Sequence, residues 1–174
     1  MFKRVLIANR GAIATRIIRT LKKLGIQSIV VYHEKDQDSL HVQLADIAVN
    51  LGAGAVSDTY LNQTKILEIA LAENADAIHP GYGFLSENPT FVERCESLGI
   101  CFVGPTPEQI NVFGLKHLAR EAAEEANVPL LPGSGVLKDV NEAIRCAQQI
   151  GFPVMLKSSA GGGGIGMQVC RDVA

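Results

Sequence analysis

The first thirty residues constrain the fold more than any other stretch. Lys3 to Ala8 is a short apolar run of strand type, and Asn9-Arg10-Gly11 is a turn signal directly after it. From Ala12 the apolar residues Ile13, Ile17, Leu21 and Leu24 recur at helical spacing, Arg16, Arg19 and Lys23 share another face, and Gly25 ends the helix. Ile26 to Tyr32 then reads as a second strand. A strand, a helix and a second strand within thirty residues make a β-α-β unit, so the two strands are expected to be parallel with a right-handed crossover. The turn after the first strand carries one glycine, where the dinucleotide fingerprint G-x-G-x-x-G needs three, which argues against NAD. The basic face of the helix reads either as a solvated surface or as a subunit interface.

The pattern continues in the same style. His33 to Ser39 is a polar loop, Ala45 to Val49 a short strand, Leu61 to Glu73 a helix with Ile66, Ile69 and Ala70 on one face, and Ala75 to Ile78 a strand. That strand leads into His79-Pro80-Gly81-Tyr82-Gly83-Phe84-Leu85-Ser86-Glu87-Asn88. Two glycines and a proline bracket aromatic residues at the carboxyl end of a parallel strand, where open α/β sheets bind ligands. A loop that merely packs Tyr82 and Phe84 onto the core has the same composition. Asn88-Pro89 caps a helix whose buried face is Phe91, Val92, Cys95 and Leu98, Gly99 closes it, and Ile100 to Val103 is a buried strand. Thr106-Pro107-Glu108-Gln109 has the form of a capping box, and a domain boundary is expected near Val112. Lys116 to Ala126 is a helix, Val128 to Gly133 an extended linker, and Val140 to Ile150 a helix opened by Asp139 and Glu142 and ended by Gly151.

The last distinctive stretch is Lys157-Ser158-Ser159-Ala160 followed by Gly161 to Gly164, Ile165, Gly166 and Met167, after the strand-like Pro153 to Leu156. Four consecutive glycines add nothing to a core and order only at a high entropic cost, so the run suits a backbone that folds closely over something else. Successive N–H groups can cradle an anion, and a lysine at the end of the preceding strand adds a point charge. A hairpin tip between two strands is the alternative. Lys116, at the first turn of a helix, is unfavourable against the helix dipole unless a ligand phosphate sits there too.

Composition narrows the function classes. With 47% apolar and 20% charged residues in 174, the chain has the make-up of an ordinary globular protein, and a net charge of −2 gives no basic footprint for nucleic acid or an anionic membrane. The apolar run before Asn9 is too short for a signal peptide or a membrane span, so a cytoplasmic protein is expected. Cys95, Cys101, Cys146 and Cys170 form no CxxC pair and read as buried reduced thiols. No Ser-His-Asp or Cys-His set and no carboxylate pair placed for a metal is identifiable, so no catalytic residue is assigned. The chain reads as cut off mid-domain, one strand past the glycines.

Ala8 to Gly11, His79 to Asn88, Lys116, and Lys157 with Gly161 to Met167 resemble, in order and spacing, the N-terminal part of the biotin carboxylase domain of biotin-dependent carboxylases. The resemblance implies an α/β fold: a Rossmann-like pre-ATP-grasp domain with a parallel sheet over residues 1–112, then a linker and the start of an incomplete ATP-grasp domain over 113–174. It also implies a ligase that uses ATP, Mg²⁺ and bicarbonate to carboxylate biotin held on a separate carrier domain. ATP would be bound by Lys116, Lys157, Gly163, Gly164 and Met167, with Tyr82 and Gly83 near biotin and bicarbonate. The metal ligands and catalytic groups of the family would follow Ala174, so the fragment alone would not turn over. A homodimer, a biotin carrier and a carboxyltransferase domain are the implied partners. Ala12 in place of Glu, Leu115 in place of Asp and Ile165 in place of Arg or Lys look like urea carboxylase and its fusion form, urea amidolyase. The rivals are another ATP-grasp ligase, such as a carboxylate–amine ligase, and a structural or dimerisation module built on the Arg16/Arg19/Lys23 face.

Overall fold

The computed structural model describes residues 1–159 and 165–173, in two compact units, Met1–Ile110 and Asn111–Ala174. The first unit runs β1 (Arg4–Ile7), α1 (Gly11–Lys23), β2 (Gln27–Tyr32), α2 (Leu40–Leu44), β3 (Ile47–Asn50), α3 (Gln63–Ala72), β4 (Ala77–His79), α4 (Pro89–Ser97), β5 (Cys101–Phe102) and α5 (Pro107–Gly114). Helix α5 runs across the division between the units, and Val112 lies within it.

All five strands are parallel, in the order β3-β2-β1-β4-β5. Period-two alternation sorts their side chains onto two faces. Val5, Ile7, Val30 and Ala77 face one layer, where Ala14, Ile17, Ile18 and Leu21 of α1 cover them. Leu6, Ala8, Ile29, Val31 and Ile78 face the other, against Ile66, Leu67 and Ala70 of α3 and Phe91, Val92 and Cys95 of α4. Burial on both faces explains why β1 and β2 read as continuous apolar runs.

Helix α1 stops where the sequence places its end. Gly25 has φ +69°, its N–H bonds to the Lys22 carbonyl at 3.2 Å, and the Ile26 N–H reaches the Leu21 carbonyl at 2.9 Å. That is a Schellman closure, which takes up the orphan carbonyls of the last turn. Helix α4 closes in the same way on Gly99, whereas α3 and α6 (Lys116–Glu125) use Asn74 and Asn127, at φ 53° and 55°.

Several expectations are corrected here. The stretch read as only a polar loop holds a 3₁₀ turn, Glu34–Asp36, and the helix α2 follows before β3. Leu24 and Leu98 are exposed, because each sits at a helix C-cap, beyond the last turn that faces the core. Strand β5 is two residues long and Cys101 points to solvent, so of the four thiols only Cys95 is buried.

The second unit carries α6, α7 (Val140–Ile150), and an antiparallel pair of β6 (Val154–Lys157) with β7 (Met167–Cys170). Asp139 caps α7 by accepting from the Glu142 N–H at 2.8 Å. Among its described residues none is buried. No helix among the described residues of the chain is long and apolar enough to cross a membrane.

Candidate functional site

Strand order reverses at β1: β2 and β3 lie on one side of it, β4 and β5 on the other. The carboxyl ends of β1 and β4 are therefore the switch point, where open α/β sheets form ligand crevices. The two turn-rich motifs emerge side by side there, since Ile7 is the register partner of His79.

Asn9, two residues past the end of β1, is 1% exposed. Its Nδ2 donates to the Pro80 carbonyl at 2.7 Å and the Tyr82 carbonyl at 2.9 Å, and its Oδ1 accepts from the Arg10 N–H at 2.9 Å. Two carbonyls and one N–H as partners fix which end of the amide is which. The Gly81 backbone, at φ +66°, lies so close that a Cβ there would stand 2.6 Å from Ile13 Cγ2 and 2.8 Å from Asn9 Nδ2. His79 Nδ1 accepts from the Gly81 N–H at 3.1 Å. Burial, reinforced by Arg16, pushes the His79 imidazole below its ordinary pKa, which favours the neutral ring that such an acceptor requires.

Arg10 holds the next part of the loop. Its guanidinium lies 5.3 Å from the Tyr60 ring centroid and 5.9 Å from that of Phe84, and pairs with Asp36 at 3.1 Å. Tyr60 and Phe84 stack at 5.1 Å, and the Tyr60 hydroxyl donates to Asp36 at 2.8 Å. Burial works against the Asp36 carboxylate, yet the Tyr60 and Arg10 hydrogen bonds prevail and hold it below the ordinary carboxylate range. Burial pushes the Tyr60 hydroxyl up, so it stays a donor. Phe84 takes φ +47°, an outlier for an aromatic residue, held in place by these contacts. Tyr82, by contrast, is 73% exposed. The loop thus packs Phe84 against the body of the unit and presents Tyr82 outward.

In the second unit, Lys157 ends β6 and is the register partner of Met167, the first residue of β7. Lys157 is exposed. The base of this pair is closed by the Ser158 N–H on the Gly166 carbonyl at 2.8 Å. Gly166 has φ +71°, and a Cβ on it would lie 2.5 Å from Ser158 Oγ. Gly163 and Gly164, and with them the expectation that the glycine run folds closely over an anion, lie outside the described residues. Lys116 is the first residue of α6, which has no acidic residue in its first turn. Lys157 and Met167 are brought together, Lys116 stands on another element of the same unit, and Tyr82 and Gly83 belong to the first unit.

Sequence reasoning missed what Asn9, Arg10, Tyr60 and Asp36 do together. The available signal was Asn9-Arg10-Gly11 itself, two polar side chains at the end of a buried parallel strand, which reads as a turn and as part of the family resemblance, with no role given to either side chain.

Residues 1–110 match the model of the biotin carboxylase N-terminal domain, and residues 116–174 match that of the carbamoyl-phosphate synthase L chain ATP-binding domain. The chain belongs to the biotin carboxylase N-terminal domain family. It is 51% identical to biotin carboxylase 1 of Bacillus subtilis over 172 residues, which is 98% of this chain and 38% of that protein. It is 54% identical to urea amidolyase of Saccharomyces cerevisiae over 168 residues, 97% of this chain and 9% of that protein. Among solved structures, the biotin carboxylase domain dimer of Hydrogenobacter thermophilus 2-oxoglutarate carboxylase, in complex with MgADP, ADP and bicarbonate, superposes with a TM-score of 0.95 at 51% identity, over 99% of this chain and 38% of that one. The chain therefore spans well under half the length of these relatives.

Proposed function

We propose that this chain is the ATP-binding N-terminal portion of a cytoplasmic biotin carboxylase that uses ATP and bicarbonate to carboxylate biotin, in the service of urea carboxylation to allophanate. The observation that carries the first part is the convergence at the switch point: Asn9-Arg10-Gly11 and His79 to Asn88 form one interlocked structure in a chain half identical to biotin carboxylases throughout. The urea reading rests on Ala12, Leu115 and Ile165, because identities to biotin carboxylases and to urea amidolyase overlap.

Residues 1–112 are assigned as the pre-ATP-grasp domain and 113–174 as linker and partial ATP-grasp lid. Lys116, Lys157, Gly163, Gly164 and Met167 are assigned to ATP. What supports the phosphate assignment at the β6–β7 pair is that Lys157, at the end of β6, is exposed and in register with Met167. ATP, with Mg²⁺ bound by residues other than those named here, supplies the phosphoryl group that activates bicarbonate. Lys157 and Lys116 offset negative charge growing on that group, and backbone N–H groups beside them orient it without reorganising at the moment of reaction. Tyr82 and Gly83 are assigned to the biotin and bicarbonate side. A homodimer through the biotin carboxylase domain, as in the similar domain dimer of Hydrogenobacter thermophilus, a biotin carrier and a carboxyltransferase domain are the partners of this reading.

The test is to assay the full-length protein containing this sequence for bicarbonate-dependent ATP cleavage with urea, acetyl-CoA, pyruvate or guanidine present. Stimulation by urea above the others is expected. A strong response to another acceptor with none to urea sinks the urea reading and leaves the biotin carboxylase reading standing. Lys157→Ala is expected to abolish ATP cleavage while the circular dichroism spectrum is unchanged.

A further inference from the structure

The Tyr82–Gly83 loop is held at almost every residue except the two it presents. Asn9 Nδ2 donates to the carbonyls of residues 80 and 82, so the Pro80–Gly81 and Tyr82–Gly83 peptide units are tied to one buried amide. His79 takes the Gly81 N–H, Ser86 N–H takes the Gly83 carbonyl at 3.0 Å, and the Phe84 ring is stacked on Tyr60 beneath Arg10. Both carbonyls of the Tyr82–Gly83 pair are thereby committed inside the protein. The pair can meet a ligand through its N–H groups and the exposed Tyr82 ring, a combination that suits an uncharged planar group bearing an acceptor oxygen.

A buried amide aimed at two loop carbonyls is also an unusual way to serve stability alone. Buried polar side chains must be matched, and an apolar residue beside a freely closing loop would avoid that requirement. The gain from Asn9 is specificity of conformation: three residues with positive φ in four, Gly81, Gly83 and Phe84, are over-determined by their neighbours. The side-chain contacts from outside the loop come from Asn9, Arg10 and Tyr60, and the first two follow the most central strand, placed between β2 and β4.

We infer that Asn9 is a positioning residue for biotin: it holds the Tyr82–Gly83 backbone in the one conformation that presents its N–H groups and ring to the ureido ring. This rests on the assignment of Tyr82 and Gly83 to the biotin side.

The experiment measures stimulation of bicarbonate-dependent ATP cleavage by added free biotin in the full-length protein, for wild type, Asn9→Asp, Gly81→Ala and Tyr82→Ala. Asn9→Asp keeps the acceptor for the Arg10 N–H but loses both donations and sets an oxygen against two carbonyls. Gly81→Ala disturbs the same contact from the loop side and serves if Asn9→Asp does not fold. Both are expected to raise the KM for biotin by about tenfold, the effect of two lost hydrogen bonds of ordinary net strength, while the KM for ATP moves by less than about twofold. Tyr82→Ala should raise the biotin KM as well, and combined with Asn9→Asp it should add less than the sum of the two. A lowered Tm with an unchanged biotin KM in both positioning variants, or a rise confined to ATP or bicarbonate, overturns the inference. If those variants are silent while Tyr82→Ala raises the biotin KM, the inference alone fails. If Tyr82→Ala is silent too, the biotin assignment of the loop falls and takes the inference with it.

Discussion

His41, in α2, is 1% exposed, and neither ring nitrogen has a hydrogen-bond partner. Burial lowers its pKa below 6.5; the Asp36 carboxylate opposes this and Arg10 reinforces it. His79 is lowered in the same sense, by burial and then by Arg16. Above the ordinary histidine pKa both folded and unfolded chains hold these rings neutral; as pH falls below it, the unfolded chain takes up protons first, so stability is lost. His41→Leu removes two orphaned polar atoms, a change that is neutral or stabilising when the shape is kept. Thermal denaturation should show an unchanged or raised Tm at pH 7.5 and a shallower fall between about pH 6.5 and 5; a Tm several degrees lower at pH 7.5 would contradict the orphaned geometry. The cysteines give a second residue-scale prediction. Burial pushes the Cys95 thiol up to about 12, whereas Cys101 is exposed. A disulfide reagent at pH 8 should modify Cys101 in the native protein and Cys95 only after denaturation. Of these features the sequence showed the buried helix face that carries Cys95; the burial of His41 and the exposure of Cys101 are set by elements distant in the chain.

At the scale of elements, most starts and stops were legible, for a local reason. The Asn88 side chain accepts from the Phe91 N–H at 2.9 Å, and Thr106 and Gln109 bond each other's backbone N–H groups at 3.3 and 2.9 Å, as the capping patterns dictate. Asn88→Ala should lower stability by about 1 kcal/mol in a urea titration. Gly25 isolates the conformational part of a helix stop, since a Cβ there meets nothing within 4 Å. Gly25→Ala should destabilise by about 1 kcal/mol, through the left-handed backbone alone. A much larger loss would mean a steric contact instead. What failed at this scale was α2, whose five residues are too short for periodicity to register; the strand read over Ile100 to Val103 is present, with only two residues in the ladder. At the switch point the sequence showed the motif at Tyr82 and Gly83. The side chains that hold that motif were not legible, because Asn9 and Arg10 closing on residues 80 to 84 joins positions some seventy residues apart.

Over the whole molecule, burial is uneven. Among the described residues every buried hydrophobic one falls within Met1–Ile110, on the two faces of the parallel sheet. Local stability follows the density of buried contacts, so hydrogen exchange should find the amides of β1, β2, β4 and α1 protected to the level of global unfolding and those of α6 and α7 exchanging orders of magnitude faster. Equal protection in both units would refute that division. The amino-acid sequence by itself determined the parallel α/β class, the order of elements and the helix ends, since hydrophobic period, caps and closing residues act within a few positions of each other. Only the tertiary structure decided that β1 is the strand about which the sheet reverses, and that its two following polar residues lock the Tyr82–Gly83 loop. Strand order is a matter of which non-local pairings bury the most surface, and no local pattern of residues encodes that.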